Sequence, residues 1–188
     1  MLWTSQNQWD LTAVHLKGSR NVLADILSRR QSIVPTEWTL ALLVLQPVWE
    51  VWGQPEIDLF ATRLNNRLPL YVSPVPDCEA YDVDAISLEW HRLNAYAFPP
   101  ISLLPAVLKK ARESSGRMIL IAPWWPTAHW FNNVRSLSHS QPISLRLRQG
   151  DLFQPQSLVP HRGLGALNLH AWLLCGKSCK TPGCQKQQ

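Results

Sequence analysis

Cysteine is scarce in this chain of 188 residues, and long apolar runs are missing from it. The cysteines are Cys78, Cys175, Cys179 and Cys184, and three of them crowd the C-terminus. That distribution excludes a disulfide framework. The longest apolar stretch, Leu40–Leu45, is far too short to span a bilayer, and no signal peptide is present. No membrane partner is expected, and the expected location is intracellular, nucleus or cytoplasm. No internal repeat is found, so the length is read as one domain with a modest core, plus arms. Acidic residues are in the minority: thirteen Asp and Glu face eighteen Lys and Arg, a formal +5. That balance favours contact with polyanions without requiring it.

What is there is apolar and aromatic. The apolar fraction is 46%, which rules out wholesale disorder. Ten Trp and fifteen Pro are many for this length. Trp suits either a compact core or base stacking. Residues 10–30 read as a strand, Thr12–Leu16, a turn at Lys17-Gly18-Ser19, and a helix from Asn21 to Arg30. Residues 31–55 read as a connector, with a short helix begun by Pro47 and ended by Gly53. Residues 56–148 alternate strands with helices. The strands are Glu56–Phe60, Leu70–Ser73, Asn94–Phe98, Arg117–Ala122 and Ile143–Leu147, and the helices are Ile101–Arg112 and Thr127–Leu137. The run Arg117–Ala122 is almost continuously apolar, as in a strand buried on both faces. This rhythm implies a mainly parallel sheet whose ligands sit at the carboxyl ends of its strands. Three segments end there: Asp58-Leu59-Phe60-Ala61, Ala97-Phe98-Pro99-Pro100 and Ala122-Pro123-Trp124-Trp125. Residues 149–188 lose the rhythm and read as a linker and disordered tail.

Residues 14–30, VHLKGSRNVLADILSRR, resemble the end of retroelement ribonuclease H domains. There a strand ending in His-h-x-G precedes N-x-x-A-D-x-L-S-R. The resemblance implies that Asp25 matches the last of four carboxylates that hold two Mg²⁺ ions for RNA-strand cleavage. One carboxylate cannot build that site, so Asp25 is expected to be inactive alone, with Mg²⁺ bound only in an intact ribonuclease H. The other reading of Asp25 is a solvated helix acid.

Residues 56–136 look like the domain that follows ribonuclease H in DIRS-like retrotransposons. The likeness rests on Glu56-Ile57-Asp58-Leu59-Phe60-Ala61-Thr62 with Asn65, Pro69 and Tyr71-Val72-Ser73. It continues with Asp82–Trp90, Ala95–Pro100, Ile119–Pro123 and Trp130-Phe131. The same order of motifs is similar to phage Dam-type N6-adenine methyltransferases. That similarity implies a Rossmann-like, methyltransferase-type fold that takes S-adenosylmethionine, with Asp58, Phe60, Ala61 and Asp84 around the cofactor. It also implies that Phe98, Pro99 and Pro100 stand where the family has its N-P-P-Y loop. In the family that loop's Asn or Asp accepts a hydrogen bond from the amine of a flipped adenine, and its aromatic residue stacks on the base. Here the acceptor position is Phe98 and the aromatic position is Ile101. Phe98 accepts no such bond, and Ile101 has no π face. Losing a buried polar partner costs a recognition site several orders of magnitude.

The expected fold is therefore α/β: a Rossmann-like, mainly parallel sheet of methyltransferase type, with an N-terminal strand-helix remnant of a ribonuclease H fold and a disordered tail. The expected domains are 1–30 (ribonuclease H remnant), 31–55 (connector), 56–148 (methyltransferase-like domain) and 149–188 (linker and tail). The expected function is that of a retrotransposon reverse transcriptase/ribonuclease H polyprotein fragment. Alone it would be non-catalytic, with a residual role in nucleic-acid binding or domain spacing. The alternatives are an S-adenosylmethionine-dependent DNA N6-adenine methyltransferase with an altered motif, and a sequence-independent nucleic-acid-binding module. Expected partners are DNA or an RNA/DNA hybrid and an upstream reverse transcriptase domain. Nucleic-acid contacts would come from Lys109, Lys110, Arg112, Trp124 and Trp125. The bland readings stand beside these: solvated helix residues, core or rim tryptophans, a turn-capping Asp58 and a solvated loop acid at Asp84. His170, Cys175, Cys179 and Cys184 offer zinc ligands, but the spacing C-x₃-C-x₄-C lacks a tight C-x₂-C knuckle, and zinc is not expected.

Overall fold

Residues 38–155 and 157–176 are described by a computed structural model of the chain. The chain divides after Pro35 into two units, and the described residues belong to the second. The ribonuclease H remnant with Asp25, the tail from Lys177, and Cys179 and Cys184 lie outside the described residues.

The organising element is the apolar run Arg117–Pro123, strand β6, of which every residue after Arg117 is buried. Alternate side chains leave a strand on opposite faces, so a strand apolar at every position must be covered on both sides. Earlier strands are β1 (Thr39–Leu40), β2 (Ile57–Asp58), β3 (Leu70–Ser73), β4 (Asp82–Val83) and β5 (Asn94–Ala97). Later ones are β7 (Ile143–Ser144), β8 (Leu152–Phe153) and β9 (Leu169–Cys175). Seven form one sheet in the order β4-β3-β2-β5-β6-β9-β7, while β1 and β8 pair separately. The neighbours from β4 through β6 are parallel; β9 is antiparallel to both β6 and β7. From β2 the chain runs outward through β3 to β4, then crosses back to place β5 on the other side of β2.

Residue parity assigns the two faces. Ile57, Ala95, Met118 and Leu174 stand in register and share one face. That face is covered by α2 (Leu104–Glu113) and α3 (Phe131–Leu137), through Leu104, Val107, Leu108, Ala111, Phe131 and Val134. The spacing of the α2 residues puts them on one stripe of a 3.6-residue period. Pro105 is tolerated in the first turn, where its missing N–H costs nothing, and Lys110 and Arg112 close the last turn against the helix dipole. Burying each large side chain of the stripe contributes about 1.5–3 kcal/mol. The other face carries Tyr96, Ile119 and Leu173. It is covered by α1 (Leu42–Trp52), through Leu45 and Val48, and by Leu40 and Leu152 of the two-stranded sheet. Arg117 donates from β6 to the Trp52 carbonyl and ties the end of α1 to the sheet edge. The described residues are thus mixed α/β, with a mostly parallel sheet between two covering layers and four α-helices among them, the last being α4 (Leu164–Leu167).

Two sequence expectations change. The helix placed after Pro47 begins at Leu42 and passes through Pro47. Residues 39–52 are accordingly one wall of the core, because burial of Leu45 and Val48 outweighs the single backbone bond that proline deletes. The region from 149 contains β8, α4 and the seven-residue β9, and β9 forms the longest pairing in the sheet. Leu169–Cys175 folds there because Ala171, Trp172, Leu173 and Leu174 find cover on both faces. Smaller differences concern ends. A 3₁₀ turn, Ile101–Leu103, precedes α2; α3 starts at Phe131 rather than Thr127; and β7 keeps only two residues.

Candidate functional site

Where the chain leaves β2 for one edge of the sheet and β5 for the other, the loops beyond the two strands diverge. Such a switch point leaves a crevice at the carboxyl ends of the strands. A cleft of about 290 Å³ opens there. Phe60 enters it from the end of β2, the run Phe98-Pro99-Pro100-Ile101 from the end of β5, and Pro123 from the end of β6. Trp38 and His161 supply further wall, their rings edge-to-face with centroids 4.6 Å apart. The volume is at the small end for ligand pockets, and the lining is mostly apolar.

Asp58 ends β2 but does not line the cleft. It is 2% exposed. Its Oδ1 accepts the Phe60 N–H at 3.4 Å and its Oδ2 accepts the Arg67 N–H at 3.0 Å. Burial pushes its carboxyl group up to about 7, against the opposing pull of these two bonds and of the Arg67 charge. Asp58 therefore fixes the turn after β2, and through it the Phe60 backbone. Ala61 is buried, and its N–H donates to the Val72 carbonyl at 3.2 Å. Asp84 sits exposed in a loop at φ 57°, accepting from the Ser87 hydroxyl at 2.6 Å and the Ile86 N–H at 3.0 Å. The Ser87 bond leads in holding its carboxyl below the usual range. Of Asp58, Phe60, Ala61 and Asp84, only Phe60 reaches the cleft, whereas Phe98, Pro99 and Pro100 all do.

S-adenosylmethionine needs carboxylates near its ribose and its amino group. Among the described residues no Asp or Glu lines the cleft, and Asp58 and Asp84 are committed to backbone turns. The described residues that line this cleft supply neither carboxylate. For metals, no group of three or more His, Cys, Asp or Glu able to hold an ion occurs among the described residues. His170 and Cys175 of β9 differ in parity and so leave the strand on opposite faces.

None of the five residues expected to meet nucleic acid lines the cleft. Lys109 is exposed on α2, the Lys110 ammonium sits 5.5 Å from the Trp90 ring centroid, and Arg112 donates to Asn133 Oδ1 at 3.0 Å. Trp124 stacks on Trp172, 5.4 Å between centroids and 9° from parallel, and Trp125 Nε1 donates to the Ala166 carbonyl at 3.0 Å. Eleven of the eighteen Lys and Arg, and ten of the thirteen Asp and Glu, fall among the described residues, which leaves this part close to neutral.

Among the polar and aromatic wall residues, Trp38, Asn65 and His161 were not expected at the site from sequence. Asn65 had a signal, its place in a turn just after β2. Trp38 and His161 had none, because their segments carry no strand-helix rhythm. No protein-family model and no curated protein matches the chain. No helix among the described residues is long and apolar enough to cross a membrane.

Proposed function

We propose that the chain is a fragment of a DIRS-like retrotransposon polyprotein. Its residues 38–176 would be a Rossmann-like, methyltransferase-type domain retained without adenine-methylating chemistry. The observation that carries this reading is the loop Phe98-Pro99-Pro100-Ile101. It sits at the switch-point cleft, where the resemblance calls for an amine acceptor at position 98 and a stacking ring at position 101, and Phe98 and Ile101 supply neither at its place. The sheet supports the methyltransferase-type reading through the interior place of β2, the first of its strands in the chain, and the crossing between β2 and β5. The same wall, free of carboxylates, argues against a live methyltransferase with altered recognition. The domain's role is then spacing within a polyprotein that handles nucleic acid. DNA or an RNA/DNA hybrid would be met mainly through the flanking segments, which carry the larger share of the positive excess.

The test is a methyl-transfer assay with S-adenosylmethionine and an adenine-containing duplex, run beside calorimetric titration of the cofactor. The expected result is no transfer above a protein-free control and no heat of binding. Transfer to adenine N6 overturns the reading.

A further inference from the structure

The cleft is not featureless, and the polar side chains of its lining share one character. Its apolar walls are flat: Trp38, Phe60 and Phe98 offer ring faces and edges, and Pro99 and Pro100 offer rigid apolar planes. Among the described residues that line it, Asn65 and His161 carry polar side chains, beside the indole N–H of Trp38. Asn65 is 9% exposed. Its Oδ1 accepts the Thr62 N–H at 2.6 Å and the Thr62 hydroxyl at 3.2 Å. A backbone N–H can only donate, so this pairing fixes which end of the amide is oxygen. Its Nδ2 donates to no acceptor among the described residues. The ring of His161 is fixed in the same way: Nδ1 accepts the Gly163 N–H at 3.0 Å. The neutral imidazole then carries its proton on Nε2. Asn65 and His161 thus each keep a donor to spare, and among the described residues no carboxylate, Lys or Arg side chain lines the cleft.

The geometry points to this cleft as a binding site for an uncharged planar heteroaromatic ring whose edge presents hydrogen-bond acceptors, the chemistry of a keto-pyrimidine. This assignment rests on the non-catalytic reading above, since it gives the cleft to a neutral ligand in place of a sulfonium cofactor. Flat apolar walls suit a ring, and a cleft of about 290 Å³ suits one ring system with small substituents. A charged ligand would lose its hydration without a counter-charge in the lining. An exocyclic amine would turn donor toward donor, leaving the buried Asn65 amide N–H and the half-buried His161 N–H unpaired. A carbonyl oxygen meets the same groups as an acceptor.

The experiment is calorimetric titration of the full chain with 1-methylthymine, 9-methyladenine, toluene and S-adenosylmethionine. The expected order has 1-methylthymine binding at least about tenfold more tightly than 9-methyladenine or toluene. Asn65→Asp keeps the oxygen that holds Thr62 and removes the amide donor. It weakens 1-methylthymine about tenfold and leaves toluene unchanged. His161→Phe keeps a ring beside Trp38 and removes the other donor, and it carries the test if the Asn65 variant does not fold. No binding of 1-methylthymine, equal binding of toluene, or preference for 9-methyladenine overturns the assignment. Binding of S-adenosylmethionine with methyl transfer overturns the non-catalytic reading instead, so the two failures are distinguishable.

Discussion

Asp58 carries an acid where water does not reach, and the pH dependence of folding reports on it. Its carboxyl group sits near 3.8 in the unfolded chain and is pushed up to about 7 by burial in the fold. For a group raised on folding, the unfolded state releases its proton first as pH rises. Stability from this group is therefore complete below about pH 4, declines from there, and is fully lost once pH passes about 7. The size of the decline is on the order of 4 kcal/mol. Asp58→Asn cannot ionise and keeps an oxygen for one of the two backbone N–H groups. Urea titrations between pH 4 and 8 should show this segment of the profile flattened in the variant. An unchanged slope would mean that Asp58 is ionised and well solvated in the fold. At this scale the sequence was partly legible. An acid at the end of a strand, followed by a turn, points either to a ligand or to a cap, and here both carboxyl oxygens are bonded to the following turn. The Pro-Pro run after β5 was legible because it stops a strand where a cleft must open. Trp38 and His161 were not, since 123 positions separate them in sequence and only the fold joins them.

At the scale of elements, α1 stores a correctable defect. Pro47 lies inside an eleven-residue helix, exposed on its outer side, while Leu45 and Val48 face the core. An interior proline deletes one i→i−4 bond and crowds the preceding turn, a cost of about 3 kcal/mol against alanine in a helix interior. Pro47→Ala restores the N–H without touching the buried stripe. The expected gain is about 1–3 kcal/mol, read as a higher melting temperature with unchanged far-ultraviolet circular dichroism. A loss of stability would show that the proline ring has a packing role of its own. This element also shows why periodicity alone misplaced a helix start. Leu40–Leu45 is apolar without interruption, so no 3.6-residue stripe separates strand from helix, and the proline was the loudest local signal. Where the pattern was unambiguous, as in α2 and β6, the elements stand within a residue or two of the sequence expectation, apart from the 3₁₀ turn that opens the α2 segment. The run Leu169–Cys175 is as long as β6 but lies in a Gly- and Pro-rich region, and so did not read as the strand it is. Its identity depends on β6 waiting for an antiparallel partner.

That dependence scales to the whole molecule. The last described strand is inserted between β6 and β7, so the sheet is complete only when the chain has returned from its far end. β9 pairs with β6 along seven positions, Arg117↔Cys175 to Pro123↔Leu169. It brings Trp172, whose indole N–H donates to the Ala122 carbonyl at 3.2 Å while its ring stacks on Trp124. It also brings Ala171, Leu173 and Leu174, buried on both faces. Without these residues β6 becomes an open, apolar edge with unpaired backbone groups, which a fold of this size cannot leave exposed. A chain ending at Gly163 retains β1 to β8 and all of α1 to α3, yet loses the strand that seals both cores. The loss of Trp172 alone removes about 3–5 kcal/mol, a large part of the margin of 5–15 kcal/mol typical of domains. The shortened chain should show no cooperative thermal transition in near-ultraviolet circular dichroism and should associate through β6, seen as oligomers by light scattering. A monomer melting within a few degrees of the full chain would mean that β4 to β6 with their helices suffice. The same topology sets a kinetic expectation. Because β6 and β9 lie about fifty residues apart in sequence, their pairing closes late, and full-chain refolding should be slow relative to the local helices.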